Sequence, residues 1–248
     1  MKRALIFAYG VISYALFFGV FLYAIGFIGN FGVPRSIDGD PTLPLGTALL
    51  IDGALLALFA IQHSGMARPA FKRWLTRFIP EAAERSTYVL LSTACLALLM
   101  FYWAPLGGVI WQVGSRWAEI SLISLYLGSW LLLLYATFLI NHFDLFGLRQ
   151  AYLHWRGVGY SHHPFATPGL YRVVRHPLYV GWIMTMWATP TMTVGHLLFS
   201  GATTLYVLYA IVLEERDLIH HFGATYERYR ESVPMLLPRL SRRSAATR

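Results

Sequence analysis

Two stretches far apart in the chain carry most of the groups able to do chemistry. The first is YRVVRHPLYVGW, residues 171–182, where two arginines, a histidine and two tyrosines stand at the head of an apolar run. The second is LEERDLIHHFGATYERYRESVP, residues 213–234, which opens on the adjacent carboxylates Glu214 and Glu215. The apolar run between them, 178–213, is too long for one bilayer crossing. Its segment ATPTMTVGH, 188–196, sets Pro190 and Gly195 where a helix would break. This pattern predicts a helical hairpin, and a hairpin brings its two ends together. Arg175, His176, their tyrosines, Glu214 and Glu215 are therefore expected in one pocket at one membrane face. Such a pocket suits a ligand that carries both charges and an aromatic base. The chain has no phosphate-binding loop, no G-x-S-x-G elbow and no zincin motif.

A third cluster is NHFDLFGLRQ, 141–150. Asn141 and Asp144 are i, i+3 neighbours with His142 beside them, and Arg149 and Gln150 follow a turn at Gly147. A solvated helix end explains any one of these residues more easily than all of them, so a site is expected here. His142 paired with Asp144 is a candidate general base, and Arg149 a candidate stabiliser of an anion; both stay open. Positions i and i+2 do not face each other on a helix, so a His142–Asp144 pair requires a broken helix end.

Asp52, Gln62 and His63 lie inside the second apolar stretch. Asp52 and His63 share a face about three turns apart, too far to touch. Ionisable residues within a span usually face a bundle interior or a cavity. His63 is read either as part of the site or as a helix-to-helix hydrogen bond. No metal site is expected from SHHPFATPGLYRVVRHPLY, 161–179, because His162 and His163 are adjacent and no cysteine or HExxH accompanies them. Leu218, Phe222, Tyr226 and Tyr229 form a stripe that fits an amphipathic surface helix. Met184, Met186 and Met192 read as core, and the scattered tryptophans as an interface belt.

The elements that must hold these groups are spans. The 248 residues are 56% hydrophobic and 13% charged, about half the charged share of a soluble domain. Clear apolar stretches cover roughly 4–29, 45–66, 87–105, 118–141 and 178–213, each long enough for about 30 Å of hydrocarbon. This predicts an all-α polytopic membrane protein of five to six transmembrane helices in one domain: N-terminal helices over 1–141, a cofactor-binding half over 142–238 and a tail over 239–248 that is expected to be disordered. The first stretch reads as a retained span rather than a cleaved signal. The net charge of +8 does not point to nucleic acid, because the basic residues sit in alternate loops. Arg68, Lys72, Arg73, Arg77 and Arg85 crowd 67–86, and Arg149, Arg156, Arg172 and Arg175 crowd 142–177. Loops 30–44 and 106–117 hold one arginine each. Basic loops face the cytoplasm, so both termini and the pocket are expected there, in a bacterial inner membrane. Cys95 is the single cysteine, so no disulfide framework exists.

GLYRVVRHPLYVGW, 169–182, followed by EERDLIHHFGATYERYRESVP, 214–234, resembles the C-terminal signature of the integral-membrane methyltransferases, among them isoprenylcysteine carboxyl methyltransferase and the phospholipid N-methyltransferases. The resemblance implies S-adenosylmethionine as cofactor, bound at the cytoplasmic face. It implies contacts from Tyr171, Arg175, His176, Tyr179, Gly181, Glu214, Glu215 and Tyr229, with Tyr226, Tyr229 and Arg230 shaping a lid. FAIQHSGMARPAFKRWLTRFIPEAAERSTYVLLS, 59–92, together with NHFDLFGLRQ, is similar to the bacterial methanethiol S-methyltransferases over essentially the whole chain. That likeness implies methylation of methanethiol to dimethyl sulfide; the residues themselves then suggest catalytic roles for His142, Asp144 and Arg149, a thiol needing a base or a cationic surround, with His63, Asn141 and Gln150 at the substrate. The expected partners are the thiol and the lipid bilayer, with no obligate protein partner evident. The competing readings are a lipid amine or prenylcysteine acceptor, and a non-catalytic protein like the NnrU-type proteins of denitrification. The intact cofactor signature favours an enzyme.

Overall fold

The computed structural model describes residues 1–161 and 164–239. In chain order the elements are α1 (Lys2–Gly29), α2 (Leu45–Ala67), α3 (Pro69–Leu75), α4 (Glu81–Tyr102), β1 (Val109–Gln112), α5 (Arg116–Leu139), α6 (His142–Leu145), α7 (Leu148–Arg156), α8 (Pro177–Trp187), β2 (Thr191–Thr193), α9 (Val194–Phe222) and α10 (Ala224–Ser232). Among the described residues, α1, α2, α4, α5 and α9 are long and apolar enough to cross a membrane. The expected polytopic helical bundle is therefore what forms. α4 starts at Glu81, ahead of the expected apolar stretch, because Pro80 precedes it and Glu81 and Glu84 favour a helix N-terminus.

The hairpin also forms, with an uneven first arm. Pro177 opens α8 at its first position, where the missing N–H is no loss and the fixed φ suits a helix. This accounts for the His-Pro step at the threshold. α8 has 11 residues, about 16 Å of rise. The chain then turns, the Thr189 N–H donating to the Trp187 carbonyl at 3.0 Å, bends at Pro190 and runs extended over 191–193, about 10 Å at about 3.3 Å per residue. α9, with 29 residues and about 43 Å of rise, outruns this arm and carries Glu214 and Glu215 back to the level of Arg175 and His176. The extended part holds β2, which pairs antiparallel with β1, a two-stranded ribbon that the apolar pattern did not predict. Thr193 caps α9 by accepting from the His196 N–H at 3.1 Å.

Long-range contacts sort the loops onto two ends. At one end β1 meets β2, Arg35 donates to the Phe101 carbonyl at 3.0 Å, and Asp38 accepts from Thr193 and faces His196 at 3.5 Å. Burial pushes the Asp38 carboxyl up, but hydrogen bonds from His196, Thr193 and Asn30 outweigh it and hold the group below the usual aspartate value. At the other end Arg68 pairs with Asp217 at 3.0 Å, Arg85 donates to the Leu145 carbonyl at 2.7 Å, and Phe7 stacks on Trp155. The basic loops and the N-terminal turn share this second end.

The core joins Phe27, Leu99, Trp103, Trp130, Leu133, Met186 and Phe199, with Met192 also fully buried. α5 and α8 pack most closely where Gly181 meets α5: a Cβ there would stand 3.0 Å from the Leu133 backbone nitrogen. Backbone cannot yield as a side chain can. Gly181→Ala is therefore expected to cost about 1–3 kcal/mol of stability, read by thermal unfolding in detergent. An unchanged unfolding temperature would show that the two helices part freely.

Candidate active site

Between α1, α2, α4, α5, α8 and α9 lies a cavity of about 1020 Å³. Its inner wall is apolar, with Phe21, Leu96, Leu99, Leu133, Trp182 and Phe199. Its outer part, at the basic end, carries Arg175, His176, Tyr179 and Glu214. The hairpin does bring its two ends into contact. Glu215 accepts from Arg175 Nε at 2.8 Å and faces His176 Nε2 at 3.0 Å, while Tyr179 donates to Glu214 at 2.9 Å. The two neighbouring carboxylates have different surroundings. Arg175 and Glu215 are nearly buried, at 10% and 12% side-chain exposure, whereas Glu214 is 45% exposed and lines the cavity.

Arg175 also ties down the chain beyond α10. It donates to the carbonyls of Arg230 at 2.9 Å and Val233 at 2.6 Å, and its backbone N–H and that of His176 donate to Pro234 and Met235. Tyr229 donates to the Tyr171 carbonyl at 2.6 Å. Phe165 lies against Phe222, Tyr226 and Tyr229. Together these form an aromatic cover over the polar end. The stripe Leu218, Phe222, Tyr226 and Tyr229, expected on an amphipathic surface helix, faces this cavity instead. Gly223, at φ 53, separates α9 from α10 and turns the stripe inward. The Tyr226 hydroxyl is buried with no hydrogen-bond partner among the described residues. A buried hydroxyl left so is costly unless a ligand satisfies it. Burial pushes the Tyr229 hydroxyl up to about 12 and the Tyr171 and Tyr226 hydroxyls up as well, so all three stay protonated donors at neutral pH.

The NHFDLFGLRQ cluster divides. Asn141, at φ 78, breaks α5 from α6, and its side chain accepts from the Asp144 N–H at 3.2 Å. The helix end is thus broken, yet the expected His142–Asp144 pair does not form. His142 turns inward, 2% exposed, between Thr137 at 2.7 Å on Nδ1 and Tyr14 at 2.7 Å on Nε2. Thr137 spends its proton on the Leu134 carbonyl, so Nδ1 carries the hydrogen and Nε2 accepts from Tyr14. Burial lowers the His142 pKa from the ordinary histidine value, so the ring is neutral at pH 7. Asp144 turns outward to Arg149 at 3.0 Å and Tyr160 at 3.1 Å, and Gln150 donates to the Asp144 carbonyl. Arg149 reaches the Ser161 carbonyl at 3.1 Å.

Of the expected site residues, His63, Asn141, His142, Tyr171, Arg175, His176, Tyr179, Glu214 and Tyr229 line the cavity. Asp144, Arg149 and Gln150 do not; they clamp the loop after α7. Gly181 packs against Leu133, and Glu215 lies behind Arg175 and His176. Asp52 is fully buried and accepts from the Ala104 N–H at 2.9 Å, well apart from His63. His162 and His163 lie outside the described residues. Tyr88, Ser92, Arg85 and Tyr206 also line the cavity and were not singled out in the sequence. The signal available was polar residues at helical spacing, Arg85, Tyr88 and Ser92, on the α4 face that meets α2.

Comparison with known proteins follows the same lines. The profile of the NnrU protein family matches residues 50–231. Methanethiol S-methyltransferase 2 of Bradyrhizobium diazoefficiens is 54% identical, covering 96% of this chain and 92% of its own length. The methanethiol S-methyltransferase of Mycobacterium tuberculosis is 49% identical, covering 96% of this chain and 98% of its own. Nurim of Rattus norvegicus is 33% identical over 69% of this chain and 68% of its own length. No solved structure matches. His63 and the polar cavity-lining residues of 141–229 fall within residues 50–231, and the chain belongs both to the NnrU protein family and to the family of the methanethiol S-methyltransferases.

Proposed function

We propose that the enzyme transfers a methyl group from S-adenosylmethionine to methanethiol, giving dimethyl sulfide, at the cytoplasmic end of the bundle. The observation that carries the reading is a cavity joining a polar, aromatic-covered end to an apolar interior, in a chain about half identical to methanethiol S-methyltransferases over nearly its full length. The residues present fit the cofactor. Glu214 offers a cavity-facing carboxylate, Tyr226 an unsatisfied hydroxyl, and Phe165, Phe222 and Tyr229 offer ring surface for a base and for a cation. When bound, the cofactor supplies a methyl group on a sulfonium.

The chain's own residues do the rest. Tyr179 orients Glu214, while Glu215 locks Arg175 and His176 so that the segment 230–235 closes the polar end. The aromatic cover excludes water. A thiolate and a sulfonium cancel their charges on reaction, so a water-poor site favours the transfer. Holding the two in line supplies much of the remaining acceleration. The cofactor end faces the cytoplasm because the loops at that end carry the basic residues.

The test is headspace gas chromatography of purified enzyme given S-adenosylmethionine and methanethiol, with boiled enzyme as control. Dimethyl sulfide is the expected product. No product while S-adenosylhomocysteine still binds would overturn methanethiol as acceptor. A volume of about 1020 Å³, at the upper limit of small-molecule sites, would then favour a longer apolar acceptor.

A further inference from the structure

A thiol acceptor raises a difficulty that the cofactor end does not solve. A thiol with a pKa of about 8.5 or higher is mostly protonated at pH 7, and the thiolate is the nucleophile. Something in the cavity must take the proton. His142 is enclosed by Thr137 and Tyr14, and Asp144 lies outside the cavity. His176 is committed to Glu215. His63 remains. Its ring is partly exposed, lines the cavity and stacks on Phe59 with centroids 5.1 Å apart.

The partners of His63 suit a proton acceptor. Ser92 Oγ lies 3.2 Å from Nδ1, and the Tyr88 hydroxyl lies 3.1 Å from Nδ1 and 3.0 Å from Nε2. Both partners are hydroxyls, which can donate to a bare ring nitrogen or accept from a protonated one. The ring can therefore gain a proton with only hydroxyl rotations, whereas a carbonyl partner would fix one state. Tyr206, hydrogen-bonded to Ser64 at 2.9 Å, closes the other side of the ring. The charged groups facing this corner are cationic or neutralised. Arg85 lies over the Tyr88 ring at 4.8 Å, and Arg68 is paired with Asp217. An anion is favoured here, and the same Arg85 charge opposes a lasting imidazolium, so a proton taken by His63 must pass on at once. Arg68, one turn beyond Ser64, pairs with Asp217, which follows Glu214 by three residues, and Tyr179 holds Glu214. The corner thus adjoins the cofactor end rather than a remote part of the cavity.

We infer that His63, with Tyr88 and Ser92, forms the acceptor subsite and that His63 Nδ1 or Nε2 takes the thiol proton. The inference rests on the methyl-transfer reading above. The S–H bond breaks and its proton passes to the imidazole. The thiolate electron pair forms the new S–CH3 bond, and the pair of the broken bond stays on the sulfonium sulfur, which becomes a thioether. The imidazolium then releases the proton to solvent.

The experiment uses the full-length enzyme in detergent and His63→Gln, with Ser92→Ala as a second variant. Three readouts are taken: S-adenosylhomocysteine binding, the pH profile of kcat/KM for methanethiol, and the ultraviolet thiolate band of ethanethiol mixed with enzyme free of cofactor. In the parent, the rate should hold a plateau across neutral pH, because the enclosed imidazole is neutral and ready to accept throughout. In His63→Gln, the rate at pH 7 should fall about 10²–10⁴-fold and climb about tenfold per pH unit toward the acceptor's own pKa. The thiolate band should vanish while S-adenosylhomocysteine binding is unchanged. Ser92→Ala should shift the plateau without abolishing it. A uniform loss with the parent's pH profile, or a persistent thiolate band, would overturn the proton role. Loss of S-adenosylhomocysteine binding in His63→Gln would place the residue at the donor and overturn it equally. Failure of the parent to bind S-adenosylhomocysteine would instead count against the methyl-transfer reading.

Discussion

Glu215→Gln is expected to lower the stability of the purified protein by about 3 kcal/mol, roughly 6–12 °C in unfolding temperature. The carboxylate serves two cationic or donor groups at once, Arg175 Nε at 2.8 Å and His176 Nε2 at 3.0 Å. Neither side of the Arg175 pair is well solvated, with 10% and 12% of the side chains exposed. An amide leaves the guanidinium charge nearly buried with carbonyl partners alone, and an uncompensated buried charge is the costly case. The loss should spread to the cover, because Arg175 holds the Arg230 and Val233 carbonyls in place. Proteolysis should therefore cut first near 223–235 in the variant. Replacing both members, Arg175→Met with Glu215→Met, should recover part of the stability, since no buried charge remains. Recovery should be incomplete because two carbonyls lose their donor. An unfolding temperature equal to the parent's would show that water reaches the pair and that its burial is not what holds the C-terminal segment.

Glu214→Gln should leave the fold intact and weaken S-adenosylhomocysteine binding by about 10- to 100-fold. Glu214 is half exposed into the cavity; it accepts from the Tyr179 hydroxyl, as an amide oxygen still can, and His176 Nδ1 stands farther off at 3.9 Å. Stability should therefore change by no more than about 0.5 kcal/mol, as for an exposed position. The ligand's ammonium or hydroxyl groups lose a charged acceptor, which is worth about 1.5–3 kcal/mol. Isothermal titration against the parent measures the change. Binding within twofold of the parent would remove Glu214 from the cofactor site. The opposite responses expected of two adjacent glutamates, one in stability and one in affinity, follow from burial alone.

Much of this architecture was open to reading in the residue order. Apolar length marked the spans, and an over-long run with Pro190 inside it implied a hairpin. A hairpin forces Arg175 and His176 toward Glu214 and Glu215, whatever the rest of the bundle does. Alternating loop charge also grouped the loops correctly onto two ends. These are local or pairwise consequences of composition and chain length, so no partner at long range is needed to infer them.

The partners chosen by individual polar side chains were a different matter. His142 and Asp144 are near in sequence, yet the positive φ of Asn141 and the approach of Tyr14, 128 residues away, send one inward and the other outward. Gly223 turns a stripe that looks like a surface helix into the wall of a cavity. His63 meets Tyr88 and Ser92 because α2 packs on α4, and that register is set by side-chain shape, which the apolar pattern of either helix does not encode. Hydropathy specifies which segments are buried in lipid. Which buried polar group finds which partner depends on rotation and height between helices, and these are settled only when the whole bundle packs.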